Sequence, residues 1–272
     1  MTATEPFLVA LDIDGTIIDY DEALSERVRE AVTAVVAAGH HVVIATGRSL
    51  PATLPVLDRL GLTHGWAVCS NGGVTLRLDP GLPEGYEVTE RVTFDPAPVL
   101  RLLQAHLPSA LYAVEQSGDG YLLTAPFPPG ELSGRHDYVP FEDLVAAPAT
   151  RVIVRSPEHT PEDFLRIVEA AGLHGVSYAV GWTAWLDLAP DGVSKASALE
   201  PVRRTLGVEP ARTIAVGDGR NDVEMFEWAA RAVAMGQSGP ELRAVATEIT
   251  APVEDDGLAE VLEPLAALAD VR

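Results

Sequence analysis

Short apolar runs alternate with stretches of helical periodicity at both ends of the chain. Near the N-terminus the pattern predicts strands at residues 7–11, 41–45 and 66–69 and helices at 24–38 and 51–60. Towards the C-terminus it predicts helices at 194–206, 222–229 and 257–268 and strands at 213–216 and 232–235. Strands that alternate with helices in this way predict a parallel sheet covered by helices on both faces.

In the middle of the chain, predicted strands outnumber predicted helices and no longer alternate with them. A hairpin is predicted within residues 73–94, followed by strands at 111–114, 121–125, 151–155, 177–180 and 185–188 and helices at 98–106 and 161–171. The Pro- and Gly-rich residues 127–148 receive no assignment. The sequence therefore predicts an α/β protein. A Rossmann-like parallel core is built from residues 1–81 and 187–272, and an α+β domain is inserted at residues 82–186.

Composition narrows the range of partners. The 272 residues include no apolar run of the roughly 20 residues that a membrane-spanning helix needs, and residues 1–6 do not resemble a secretory signal. A single cysteine, Cys69, excludes an intramolecular disulfide and suits a cytoplasmic location. The net charge of -21 disfavours nucleic acid and anionic membranes as partners. An anionic substrate would need local positive charge from a metal ion or a buried lysine. The oligomeric state is left open.

The first predicted strand ends in Asp12-Ile13-Asp14-Gly15-Thr16. Ligands of open parallel sheets bind beyond the carboxyl ends of the strands, so these two carboxylates are candidate functional groups. A calcium-binding loop would need glycine at the position of Ile17 and glutamate at that of Ala23, which excludes it. A plain turn remains an alternative for this pentapeptide alone.

Three further segments carry candidate chemistry. Thr46-Gly47-Arg48 ends the second strand and could hold a phosphate, although such residues are also common in ordinary connections between a strand and a helix. Lys195 begins a helix, where its charge opposes the helix dipole unless an anion is near; otherwise it is a surface residue. Residues 217–222, Gly-Asp-Gly-Arg-Asn-Asp, lack the last glycine of a dinucleotide fingerprint, and the acid there suits Mg²⁺ better than phosphate.

Taken together and in this order, the four motifs resemble those of the haloacid dehalogenase-like superfamily. The predicted insert is similar in layout to the type IIB cap of the Cof-like sugar phosphatases, and residues 70–73, Ser-Asn-Gly-Gly, are similar to a segment that precedes this cap. One departure is Ala196, where these relatives usually have glycine. It leaves the local backbone less defined but changes no reacting group.

The resemblance implies a division of roles among these residues. Asp12 would be the nucleophile, and Asp14 would act first as general acid and then as general base. Mg²⁺ would be the cofactor, held by the side chains of Asp12 and Asp218 and by the backbone carbonyl of Asp14. The residues expected to bind the transferring phosphate are Thr46, Gly47, Lys195 and Asn221. Arg48 and Asp222 are expected to support these groups from behind, with Asp222 orienting Lys195 or the waters of the metal.

The predicted function is a Mg²⁺-dependent phosphatase that hydrolyses a small phosphorylated metabolite, such as a sugar phosphate, through an aspartyl phosphate. A phosphomutase on the same fold is an alternative, and a non-catalytic binding protein is a weaker one because the acidic motifs are intact. The core motifs contact only phosphate and metal, so the insert is expected to select the substrate. Trp182 and Trp185 would stack on a ring or fill the core. Replacement of Lys195 by alanine is expected to lower turnover with little loss of stability.

Overall fold

The computed structural model describes residues 5–116, 120–146, 148–180 and 183–267. Two β-sheets organise this part of the chain, one of eight strands and one of six. The strands of the larger sheet are β1 (Leu8–Leu11), β2 (His41–Ala45), β3 (Gly65–Cys69), β4 (Val74–Leu78), β5 (Tyr86–Arg91), β12 (Thr213–Gly217), β13 (Arg231–Ala234) and β14 (Glu248–Ile249). Those of the smaller sheet are β6 (Leu111–Glu115), β7 (Gly120–Leu123), β8 (Arg135–Tyr138), β9 (Arg151–Arg155), β10 (Val176–Val180) and β11 (Trp185–Pro190).

The larger sheet has the strand order β14-β13-β12-β1-β2-β3-β4-β5. Its first six strands pair in parallel, and β4 and β5 add an antiparallel edge. All four residues of β1 are buried, as expected for a central strand covered on both faces. Parallel pairing aligns the carboxyl ends of β12, β1 and β2 at one edge of the sheet, and the motifs of the sequence lie at this edge.

Helices cover both faces of the larger sheet. The helices are α1 (Glu26–Ala37), α2 (Leu50–Leu60), α6 (Lys195–Thr205), α7 (Val223–Trp228), α8 (Pro240–Val245) and α9 (Gly257–Ala267). Val9 and Leu11 share one apolar cluster with residues of α1, α2 and α9, whereas Leu8 and Ala10 share another with residues of α6, α7 and α8. This division follows from the two-residue period of a strand.

The smaller sheet has the order β10-β11-β9-β6-β7-β8. Helices α3 (Ala97–His106), α4 (Phe141–Leu144) and α5 (Pro161–Ala171) pack on one of its faces, in a cluster that contains Val152 and Leu188. Side chains alternate along a strand, so Arg151 on β9 and Asp187 on β11 belong to the opposite face. That face turns towards the carboxyl edge of the larger sheet.

The predicted fold class is confirmed: a parallel core sheet covered by helices, with a second mixed sheet formed by the middle of the chain. Residues 127–148 received no assignment and contain β8 and α4. Every residue of β8 is exposed, so this strand has no apolar alternation that a sequence pattern could reveal. Strand β5 pairs with β4 in the larger sheet. The domain boundaries at residues 82 and 186 stay a prediction.

Within the part of the chain that the structure describes, no helix is both long and apolar enough to cross a membrane.

Candidate active site

Three neighbouring strands deliver the central residues of the site. Asp12 directly follows β1, Thr46 follows β2 and Asp218 follows β12. Because β12, β1 and β2 are adjacent and parallel, these residues meet at one edge of the sheet. Asp12 and Thr46 are buried, and Asp218 is half-buried.

Lys195 supplies the positive charge at this edge. Its side chain is fully buried, and its Nζ lies 2.8 Å from Oδ1 of Asp12 and 2.6 Å from Oδ1 of Asp222. Ser194 caps helix α6 immediately before it by accepting a hydrogen bond from the backbone N–H of Ser197. Burial lowers the pKa of Lys195, but the two carboxylates outweigh burial and the net shift is upward. The ammonium therefore stays charged despite its position at a helix N-terminus.

The carboxylates around Lys195 outnumber it. Oxygens of Asp12, Asp218 and Asp222 lie within 4.8 Å of one another. Burial and the charge of Asp222 raise the pKa of Asp12 well above its usual range, although Lys195 opposes this shift. Burial also raises the pKa of Asp218. One ammonium leaves part of this negative charge uncompensated, and clustered oxygen donors are the ligands that Mg²⁺ prefers. The residues present thus fit a magnesium ion.

Asp222 is held by the loop that it closes. Its Oδ2 accepts hydrogen bonds from the backbone N–H groups of Asp218, at 3.1 Å, and Gly219, at 3.0 Å. A Cβ atom at Gly217 would lie 2.4 Å from Oδ2 of Asp222, so only glycine fits there. Asp222 thus contacts Nζ of Lys195 with one oxygen and the backbone of Asp218 and Gly219 with the other, and its supporting role stays a prediction.

Two residues that the sequence analysis missed hold Asp218. The hydroxyl of Tyr20 donates to Oδ2 of Asp218 at 2.6 Å. Nε2 of Gln237 donates to the backbone carbonyl of Gly15 at 2.5 Å and lies 3.4 Å from Oδ2 of Asp218. A Cβ atom at Gly15, whose φ is +71°, would lie 2.2 Å from the same oxygen. No motif signals Tyr20 or Gln237, because their loops meet Asp218 only in the folded chain.

Asp14 is paired with Arg48. Nε of Arg48 lies 3.0 Å from Oδ2 of Asp14, and Nη2 lies 2.6 Å from Oδ1, which makes a two-pronged ion pair. Arg48 also reaches Glu22 at 3.1 Å. The side chain of Asp14 is 49% exposed, whereas that of Arg48 is 19% exposed. The Asp14 side chain is therefore about half open to solvent, whereas those of Asp12 and Lys195 are buried.

Asn71 links the remaining polar residues. Its backbone N–H donates to the carbonyl of Thr46 at 3.0 Å, and its Oδ1 accepts from Nδ2 of Asn221 at 3.0 Å. Ser70 and Asn71 both have a φ of +51°, a conformation that is costly for residues other than glycine and that is found at functional sites. A Cβ atom at Gly72 would lie 2.2 Å from the carbonyl oxygen of Ser194, so this turn packs directly against the start of α6.

A cleft of about 590 Å³ separates this edge from the smaller sheet. Its floor includes Gly47, Asp218 and Asn221, and its roof includes Trp185 and Asp187. Trp182 lies outside the residues that the structure describes.

The nine predicted site residues lie along this edge: Asp12, Asp14, Thr46, Gly47, Arg48, Lys195, Asp218, Asn221 and Asp222. They form a buried part around Lys195 and a more open part around Asp14 and Arg48. The placement is compatible with the expected roles, which themselves stay predictions.

Comparison with known proteins gives a consistent picture. Residues 9–262 match the family model of haloacid dehalogenase-like hydrolases. The chain is 27% identical to the 5-amino-6-(5-phospho-D-ribitylamino)uracil phosphatase YitU of Bacillus subtilis, over 96% of this chain and 97% of that protein. It is 28% identical to a phosphoglycolate phosphatase of Natronomonas pharaonis, over 94% and 96%. The solved structure of the subclass IIB sugar phosphatase BT4131 superposes with a TM-score of 0.78 at 20% identity, covering 95% of this chain and 98% of that one.

Proposed function

We propose that this chain, which belongs to the haloacid dehalogenase-like hydrolase family, is a Mg²⁺-dependent phosphatase of small phosphomonoesters that works through an aspartyl phosphate on Asp12. The observation that carries this proposal is the buried cluster of Asp12, Lys195, Asp218 and Asp222. A nucleophilic carboxylate lies in it beside a fixed ammonium and a set of oxygen ligands for a metal.

Lys195 and the metal ligands prepare Asp12 for attack on an anion. Asp12 and Asp218, with the backbone carbonyl of Asp14, are the residues proposed to hold Mg²⁺. When bound, the ion supplies positive charge that offsets the repulsion between nucleophile and phosphate. Lys195 contributes a second positive charge directly at Oδ1 of Asp12. Burial of this pair strengthens both effects, because water does not screen them.

In the first half-reaction an oxygen of Asp12 forms a bond to phosphorus while the bond between phosphorus and the leaving oxygen breaks. Asp14 gives its proton to that oxygen, so an alcohol departs. In the second half-reaction water attacks the phosphorus of the aspartyl phosphate, and Asp14 takes up the proton of that water. Inorganic phosphate leaves and Asp12 is regenerated. Thr46, Gly47, Lys195 and Asn221 are proposed to hold the transferring oxygens.

Arg48 bears on the acid step. In the structure it binds both oxygens of Asp14. An ionised Asp14 is the form needed to activate water, whereas the first step needs the protonated form. We infer that the leaving oxygen of a bound substrate takes the place of Arg48 at one Asp14 oxygen. Arg48 would then be a positioning residue for the acid–base carboxyl.

The decisive experiment measures release of inorganic phosphate from p-nitrophenyl phosphate and from an alkyl phosphate in the presence of Mg²⁺. Asp12→Asn, which keeps the side-chain shape, should lose turnover by several orders of magnitude. Arg166→Gln serves as the control, because it removes a charge from an exposed ion pair with Asp163 on α5, outside the predicted site residues, and should leave turnover unchanged. A wild-type protein that releases no phosphate, or an Asp12→Asn variant with normal rates, would overturn the proposal.

A further inference from the structure

A buried carboxylate of the smaller sheet contacts a turn of the larger sheet. Glu115 is the last residue of β6, and Ser70 directly follows β3. The hydroxyl of Ser70 donates to Glu115, with its Oγ at 2.9 Å from each of the two carboxylate oxygens. Neither residue has any solvent exposure. Removal of a donor from a buried carboxylate is costly, so this contact is a strong link between the two sheets.

Glu115 is fixed within the smaller sheet by its neighbours. It lies opposite Arg151 of β9 and opposite Tyr121 of β7, so the three side chains share one face of the sheet. Burial lowers the pKa of Arg151, but nearby negative charges, among them Asp187 and Glu115, outweigh burial and the net shift is upward. A charged Arg151 on the same face therefore compensates part of the negative charge that Glu115 brings into the interior.

The turn that begins at Ser70 also contacts the segment proposed to bind phosphate. The backbone N–H of Ser70 donates to the carbonyl of Arg48 at 2.8 Å, and that of Asn71 donates to the carbonyl of Thr46 at 3.0 Å. The side chain of Asn71 accepts from Nδ2 of Asn221 at 3.0 Å. This one turn therefore fixes both ends of the segment after β2 and the amide group of Asn221.

The conformation of this turn depends on contacts from outside it. Ser70 and Asn71 both have a φ of +51°, which persists in residues other than glycine only where the surroundings impose it. Glu115 holds the Ser70 side chain, and a Cβ atom at Gly73 would lie 3.1 Å from the carbonyl oxygen of Thr150. Oγ1 of Thr150 in turn donates to the carbonyl of Glu115 at 2.9 Å. The smaller sheet thus supports the turn at two points.

We propose that Glu115 is a positioning residue that couples the smaller sheet to phosphate binding. Its carboxylate holds Ser70 and Asn71 in the left-handed conformation, and Asn71 then orders Thr46 and Asn221 around the phosphate. This inference rests on the proposed function and adds a residue that acts on the phosphate site without touching the substrate. If the contact merely joined the two sheets, its loss would lower the unfolding free energy and leave phosphate affinity unchanged.

The test measures binding of inorganic phosphate by calorimetry in the presence of Mg²⁺, so that it needs no turnover. Ser70→Ala removes the hydroxyl but keeps the cost of a positive φ, and it should weaken phosphate binding by about tenfold. Ser70→Gly removes the same hydroxyl, but glycine adopts a positive φ freely, so its affinity should stay within about threefold of the wild type. Wild-type affinity in Ser70→Ala, or equal losses in the two variants, would overturn the inference.

Mg²⁺ affinity separates positioning of the phosphate from a general loosening of the site. Measured in Ser70→Ala without phosphate, it should equal that of the wild type, because the turn contacts the phosphate residues and not the carboxylates proposed to hold the metal. A parallel loss of Mg²⁺ and phosphate affinity would contradict the inference. Ser109→Ala is the matched control, since its hydroxyl donates to Glu158 at 2.7 Å on the protein surface. It should change neither affinity.

A double-mutant cycle tests the route from Glu115 through Ser70. Glu115→Met should weaken phosphate binding by about the same factor as Ser70→Ala, and the double variant should lose little more, because both changes break one contact. Additive losses would overturn this route. If Glu115→Met does not fold, the comparison of Ser70→Ala with Ser70→Gly decides alone.

The two levels of proposal fail differently. A wild-type protein that releases no phosphate from p-nitrophenyl phosphate with Mg²⁺ would remove the proposed phosphatase. Normal turnover in the wild type together with unchanged phosphate affinity in Ser70→Ala would remove only the positioning role of Glu115.

Discussion

Replacement of Lys195 by methionine removes the ammonium from the buried cluster while preserving the length of the side chain. The Nζ atom lies 2.8 Å and 2.6 Å from carboxylates whose side chains are 6% and 0% exposed. Removal of one partner from a buried ion pair typically costs about 3–5 kcal/mol. The structure therefore changes the expectation drawn from the sequence, which was a loss of turnover with little loss of stability.

The loss of unfolding free energy has an upper limit, because a carboxylate that loses its neighbouring cation can take up a proton. Keeping one aspartate protonated at pH 7 costs about 4 kcal/mol, at about 1.4 kcal/mol for each of roughly three pH units above its ordinary pKa. At pH 5 the same step costs only about 1.5 kcal/mol. The variant removes the cation that opposes the upward shift of the Asp12 pKa, so the folded-state pKa of Asp12 rises further above the unfolded value. Its stability is accordingly retained at low pH and lost as pH rises, so the deficit against the wild type should grow between pH 5 and pH 8.

The assay is urea unfolding followed by tryptophan fluorescence, in EDTA, at pH 5, 7 and 8. Arg166→Met is the matched control, because its side chain is 74% exposed and its ion pair with Asp163 is at the surface. It should change the unfolding free energy by less than about 1 kcal/mol at every pH. A Lys195→Met variant that is as stable as the wild type at pH 7, or a deficit independent of pH, would refute the reasoning.

Three further predictions concern the site. EDTA should abolish phosphatase activity and Mg²⁺ should restore it, because one ammonium leaves the carboxylate cluster negatively charged; full turnover in metal-free buffer would contradict this. Asp14→Asn should slow hydrolysis of an alkyl phosphate by about 10²–10⁴-fold. It should spare the single-turnover burst from p-nitrophenyl phosphate, whose leaving group needs no proton, and equal losses would end the acid–base assignment. Tyr20→Phe should weaken Mg²⁺ binding by about tenfold in calorimetry, since it frees Oδ2 of Asp218. Tyr138→Phe on β8 should not, and equal affinities in the two variants would make the Tyr20 contact incidental.

The sequence predicted those parts of the site in which a functional residue directly follows an apolar strand. Strand β1 is a continuous apolar run in the sequence because it is buried on both faces, so the position of Asp12 at its end could be predicted, and the four motifs together indicated a site there. The same holds for Thr46 after β2 and Asp218 after β12. The order of strands then brought the three together, as the parallel rhythm had indicated.

The rest depended on contacts between distant segments. Tyr20 and Asp218 are 198 positions apart, and Asn71 and Asn221 are 150 apart. No periodicity links such pairs, because the approach of their loops is decided by packing of the whole core. The burial of Lys195 is a second example. Its position at a helix start left both a nearby anion and a surface role open, and its complete burial was not predicted from the sequence.

The chain contains 18 arginines and a single lysine, and that lysine is Lys195. Its side chain has no solvent exposure. Reagents that acylate amines do not modify guanidinium groups, so in the folded protein they should find only the α-amino group. A second acyl group on the chain would then mark molecules in which the site had opened or unfolded. The rate at which that second mass increment appears, with and without a bound phosphate analogue, would report opening of the site directly, with no introduced label.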